Sequence, residues 1–214
     1  MSFQQGKIRG IADVVFVLDT SGSMSNILEA VKANIDRFAA GVQSGQQSID
    51  LRLGLVFHTM SGGTRNLVKS FPFTADVAEF RTNLAKAEIT GDEFTLPAVD
   101  AALDLGWRPK GRRFVAVFTD EPVSGGHDAS LQVSKVQELK EKMSALHVHG
   151  YFVAAPCPVY DDICNLAGFV RVKLGGSELA TYDFANLLSA MGKTVSVMSE
   201  SDAPVKLNPN IYGI

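Results

Sequence analysis

The segment Asp19-Thr20-Ser21-Gly22-Ser23 places one carboxylate and two hydroxyls at alternate positions of a short turn. Oxygen is the donor that a hard divalent cation such as Mg²⁺ takes, in a near-octahedral shell. The turn offers several such donors, and Gly22 is expected to let the backbone bend without a Cβ in the way. A helical stretch follows, and the N-terminus of a helix is electropositive and favours anions. A cation held there must be neutralised by carboxylates, and whatever positive field remains attracts an acid from outside. The simpler use of Ser21 and Ser23 is to cap that helix.

Other reactive residue types have simpler uses. His127-Asp128 looks like part of a catalytic dyad, yet Asp128 is placed to cap the next helix, with His127 at a rim. His147 and His149 are two apart and would share a strand face, but no third ligand is recognisable near them. Cys157 and Cys164 are too few for a disulfide framework; seven residues apart, they would bridge if oxidised, and in an intracellular setting they read as free thiols. Asp161-Asp162 suits the first turn of a helix, where negative charge is favourable. Arg108, Lys110, Arg112 and Arg113 form a basic cluster that reads as a solvated loop, or as a contact for an acidic partner.

These residues need elements to position them. Asp13 to Leu18 is nearly all apolar and β-branched, the pattern of a strand covered on both faces. Leu28, Val31, Ile35, Phe38 and Val42 then follow the spacing of one helix face, with Asn26 and Glu29 as a candidate capping box and Gly41 near the stop. Further strands are expected at 49–57, 67–73, 113–118, 148–154 and 169–174. Helices are expected from Thr74 through Ala87 and near 96–105, 129–145, 160–167 and 181–191. The turn-rich connection Ser61-Gly62-Gly63-Thr64 predicts a hairpin, which makes the third strand antiparallel and an edge. Strands alternating with helices predict an α/β, Rossmann-like, doubly wound and mostly parallel six-stranded sheet, with helices on both faces. In such sheets ligands bind beyond the carboxyl ends of the strands, where Asp19 falls. Residues 1–192 are assigned to this domain, and 193–214 to a C-terminal extension that packs on it or frays.

Asp-x-Ser-x-Ser after an apolar strand resembles the metal-ion-dependent adhesion site of von Willebrand factor type A domains. The length, the strand–helix alternation and the antiparallel third strand agree with that family over most of the chain. The resemblance implies two further donor loops. The family's threonine is matched by Thr95 in Phe94-Thr95-Leu96-Pro97-Ala98, and its aspartate after the fourth strand by Asp120 in Val117-Phe118-Thr119-Asp120. It therefore implies that Asp19, Ser21, Ser23, Thr95 and Asp120 surround one Mg²⁺ (or Mn²⁺ or Ca²⁺). Waters and a partner's carboxylate would complete the shell. Two positions depart from the family pattern: Glu121 and Pro122 follow Asp120 where glycine is common, and Asp92-Glu93 precedes Phe94 where glycines are common. Glu93 would compete with Thr95 as a ligand, Glu121 would add negative charge, bind through water or point away, and His58 would lie at the rim from the end of the second strand.

The chain has 214 residues, 46% of them hydrophobic, with 20 Lys and Arg against 23 Asp and Glu. That supports a full core and excludes a generally basic nucleic-acid binder. No apolar run of ~20 residues predicts a membrane span, and the N-terminus lacks the apolar stretch of a signal peptide. The expectation is a non-enzymatic, cytoplasmic and bacterial protein-binding module that captures a partner's Asp or Glu through its metal. By family analogy that partner belongs to an ATPase-associated complex. The alternative is a haloacid-dehalogenase-like, Mg²⁺-dependent phosphotransferase using Asp19. That chemistry wants a second aspartate two residues on, where this chain has Ser21.

Overall fold

The computed structural model describes residues 10–44, 48–58, 68–89, 94–123, 129–174 and 182–200. Six strands form one sheet in the order β3-β2-β1-β4-β5-β6: β1 Gly10–Asp19, β2 Ile49–His58, β3 Val68–Thr74, β4 Arg112–Thr119, β5 Val148–Ala154 and β6 Phe169–Lys173. All neighbouring pairs are parallel except β2–β3, so β3 is the antiparallel edge strand that the sequence predicts. The chain winds from β1 outward through β2 to β3, then returns to the other side of β1 with β4. The sheet therefore reverses direction between β1 and β4, the position at which doubly wound folds open a crevice for ligands.

Alternation along β1 divides the interior in two. Ala12, Val14, Phe16 and Leu18 face α1 (Ser25–Val42), α2 (Val77–Leu84) and the C-terminal helix α7 (Phe184–Glu200). Phe16 is fully buried there, against Phe38 at 5.3 Å and Phe80 at 5.6 Å between ring centroids. Val15 and Val17 face the other way, onto α3 (Thr95–Leu103), α5 (Val136–Ala145) and α6 (Pro158–Ile163). The short α4 (Ala129–Ser134) leads into α5. Glycine allows α1 and α7 to approach closely: a Cβ on Gly41 would come within 2.9 Å of the Ser189 carbonyl oxygen. No described helix is long and apolar enough to cross a membrane.

At the N-terminal edge of the sheet the odd-numbered face of β1 carries a charge, Asp13, which is 1% exposed. Arg52 donates to both of its oxygens (2.9 and 2.7 Å), as does Arg108 through Nε at 2.8 Å and its backbone N–H at 2.9 Å. Arg108 also bonds the carbonyls of Ala12 and Asp50, and Arg113 bonds that of Leu146. Much of the basic cluster is thus an internal clasp rather than a solvated loop: a buried carboxylate needs its charge met, and Arg supplies a planar fork of donors.

Several local expectations change. Helix α1 begins at Ser25 after a 3₁₀ turn, Gly22–Met24, with no side-chain cap, so Asn26 and Glu29 are already inside it and form no capping box. Gly22 has open space around it and no positive φ, so no conformational demand requires glycine there. Thr74 ends β3 rather than opening a helix, and Asp76 caps α2 by accepting from the Ala78 N–H. The stretch 129–145 divides at Lys135 into α4 and α5. Helix α7 runs unbroken across residue 192 to Glu200, with Val195 and Met198 buried. The Ser61–Thr64 connection lies outside the described residues.

Candidate functional site

The parity that sends Val17, Val56 and Val117 into the α3 side of the sheet places the last residues of the same strands above that core. These are Asp19 on β1, His58 on β2 and Thr119 on β4. All three are fully buried. Asp19 accepts from the Ser21 N–H through Oδ1 at 2.7 Å and from the Thr119 hydroxyl through Oδ2 at 2.7 Å. Both oxygens are therefore fixed in direction, and each keeps a lone pair.

The turn after β1 brings the Ser21 and Ser23 hydroxyls within 3.2 Å of each other. Ser21 is buried and Ser23 exposed, so the pair runs from the interior to the surface. Asp120 follows directly on β4 and bonds Ser23. Burial raises the Asp120 pKa, and repulsion from Asp19 raises it further, against the opposing bond from Ser23. Its Oδ1 is buried without a hydrogen-bond partner among the described residues. Glu121 is pushed the same way, first by burial and then by Asp120 and Asp19.

Thr95 opens α3 and is 2% exposed. It meets Tyr160, a fully buried side chain on α6 whose hydroxyl donates to the Glu121 carbonyl at 3.1 Å. Burial raises the Tyr160 pKa and keeps the phenol neutral. Tyr160 thus links the Thr95 loop to the Asp120–Glu121 loop. Gln132 does comparable work from α4, accepting the Leu96 N–H at 3.1 Å. His58 is buried beneath the site, not at its rim. Its Nδ1 accepts the Phe94 N–H at 3.2 Å, which places the ring proton on Nε2. Burial lowers its pKa, against the pull of Asp19. Thr119, Tyr160 and Gln132 escape sequence reasoning because each acts across long separations. Thr119 and Asp19, for example, are 100 residues apart.

The donor set suits a hard cation. It combines hydroxyls with two carboxylates that repel one another, and one carboxylate oxygen is buried without a proton donor among the described residues. Among the described residues no three His, Cys, Asp or Glu side chains form a metal-ligating group, so any ion here depends on the hydroxyls. Glu93 and the His127-Asp128 pair lie outside the described residues.

The remaining candidates are placed elsewhere. His147 is in a left-handed turn before β5 (φ 51°), so it shares no strand face with His149. His149 is lowered to about 4, chiefly by burial, and tilts against Phe114. Cys157 and Cys164 are free thiols, the latter pushed up to about 12 by burial. Asp161 pairs with Arg171 and Lys173, and Asp162 with Lys140.

Comparison with known proteins agrees with this architecture. The alpha-protein kinase vwkA of Dictyostelium discoideum is 22% identical over 165 residues, covering 71% of this chain and 26% of the kinase. The chain thus spans about a quarter of that relative's length. The sequence profile of the von Willebrand factor type A domain matches residues 14–123, from the middle of β1 to just beyond Asp120 and just over half of the chain. The chain belongs to the von Willebrand factor type A domain family, whose members generally mediate protein–protein interaction.

Proposed function

We propose that this chain is a divalent-metal-dependent binding module in which Asp19, Ser21, Ser23, Thr95 and Asp120 hold one Mg²⁺, Mn²⁺ or Ca²⁺. The ion then captures an Asp or Glu of a protein partner. The observation that carries this reading is Asp120 Oδ1, a buried acceptor without a donor among the described residues, on a carboxylate already repelled by Asp19. A cation relieves both costs at once. The hydroxyl donors are neutral, so Asp19 and Asp120 alone offset the ion, which retains an attraction for a further carboxylate.

On this reading the chain performs no covalent chemistry. Ser21 occupies the position where a phosphotransferase would need an acid–base carboxylate, and it lacks a suitable pKa. The setting in this reading is the cytoplasm of a bacterial cell by family analogy, and the free cysteines are compatible with a reducing compartment. A partner within an ATPase-associated complex remains part of the proposal by family analogy.

Thermal unfolding in EDTA, then in Mg²⁺ or Mn²⁺, tests the proposal. At a hundred times its dissociation constant an ion adds ~2.7 kcal/mol of stability. Asp19→Ala is expected to abolish that increment while still unfolding cooperatively. The same increment in the variant and the wild type would refute the site. Asp19-dependent hydrolysis of a phosphate ester in Mg²⁺ would favour the phosphotransferase instead.

A further inference from the structure

Beside Thr95 lies a cavity of about 270 Å³ between the first turns of α3 and the α4–α5 pair. Phe94, Leu96, Leu131 and Leu139 line it, together with Asp100, Glu138 and the exposed Lys135. Gln132 forms part of its wall and is held in place by its bond to the Leu96 N–H. Four large apolar side chains are exposed among the described residues, and two of them, Leu131 (53%) and Val133 (47%), are on the six-residue α4. Exposing apolar surface beside a formed apolar cavity is the pattern of a recognition site.

Resting on the metal-mediated reading above, we propose that this cavity seats a large aliphatic or aromatic side chain of the same partner whose carboxylate meets the ion. Continuity identifies the occupant: Phe94 and Leu96, which line the cavity, flank Thr95 in the chain. A residue held at the ion and a residue held in the cavity must therefore be close in the partner. Size agrees, since the space falls below the ~300–1,000 Å³ of sites for drug-sized ligands and suits a side chain. The charged lining is mixed: Asp100 is engaged by Lys142 at 2.6 Å, and Lys135 and Glu138 are of opposite sign, so selection at the cavity rests on its apolar walls. The acid supplies metal dependence, and the apolar neighbour supplies discrimination between acidic partners.

The test is selection of short random peptides displayed on phage against the full chain in Mn²⁺, followed by titration of the synthetic winners. Enriched peptides are expected to pair an Asp or Glu with a large apolar residue a few positions away. They should release in EDTA and bind Leu131→Arg about tenfold or more weakly, the scale on which an apolar pocket discriminates. Leu131 is exposed, so that variant should keep the wild-type thermal response to Mn²⁺. Several results would overturn the cavity while leaving the metal reading intact. These are peptides that share only an acid, peptides that bind Leu131→Arg as well as wild type, or no enrichment on a chain that does respond to Mn²⁺. Apolar peptides that ignore EDTA would also overturn it, as would a wild-type dimer that Leu131→Arg dissociates. Absence of any Mn²⁺ response in the wild type would instead defeat the reading beneath it.

Discussion

Asp120 sets folding against binding. Burial and the nearby Asp19 charge hold its carboxyl above the ordinary value of 3.8, against the bond from Ser23. The folded chain therefore binds this proton more tightly than the unfolded chain does. Without metal, the corresponding stability is present below 3.8 and is lost as pH rises through the raised folded value. Asp120→Asn removes the charge, so in EDTA near neutral pH it should melt above the wild type by calorimetry, yet gain nothing from Mg²⁺. A variant that melts lower in EDTA would contradict this account of the site's repulsion. Protons also compete with the ion for the same oxygens, so apparent Mg²⁺ affinity should fall as pH drops toward the raised Asp120 value.

Among the elements, β1 does most to organise the molecule, with a different charge at each end. Asp13 at its start is a buried carboxylate saturated by two arginines; burial opposes its ionisation, but Arg52 and Arg108 together hold its pKa below the usual value. Its contribution is thus present above 3.8 and is lost as pH falls through the lowered folded value. Asp13→Ala leaves the arginines without their partner and should cost about 3–5 kcal/mol in urea unfolding, without altering the metal increment. The strands were legible because β-branched apolar runs such as Asp13 to Leu18 have one economical use, a sheet covered on both faces. Helix ends were less legible. Asn26 and Glu29 have the spacing of a cap, but a 3₁₀ turn starts the helix earlier, and Thr74 was claimed by β3 through its ladder with β2. Asp19, Ser21 and Ser23 could be read because they fall within five residues of one turn; the supports supplied by Thr119, Tyr160 and Gln132 could not, because distant strands and helices bring them in.

At the scale of the whole molecule, the two edges of the sheet have separate tasks. The amino edge is closed by the Asp13–Arg52–Arg108 clasp, and the carboxyl edge at the β1–β4 reversal gathers Asp19, Ser21, Ser23 and Asp120, with Thr95 reaching it from α3 through Tyr160. The most direct measurement is diffraction at the manganese absorption edge from crystals grown in Mn²⁺. The account predicts one anomalous peak at the carboxyl ends of β1 and β4, contacted by the Ser21 and Ser23 hydroxyls and surrounded by Asp19, Thr95 and Asp120. A peak elsewhere, or none in this cleft at saturating Mn²⁺, would contradict it.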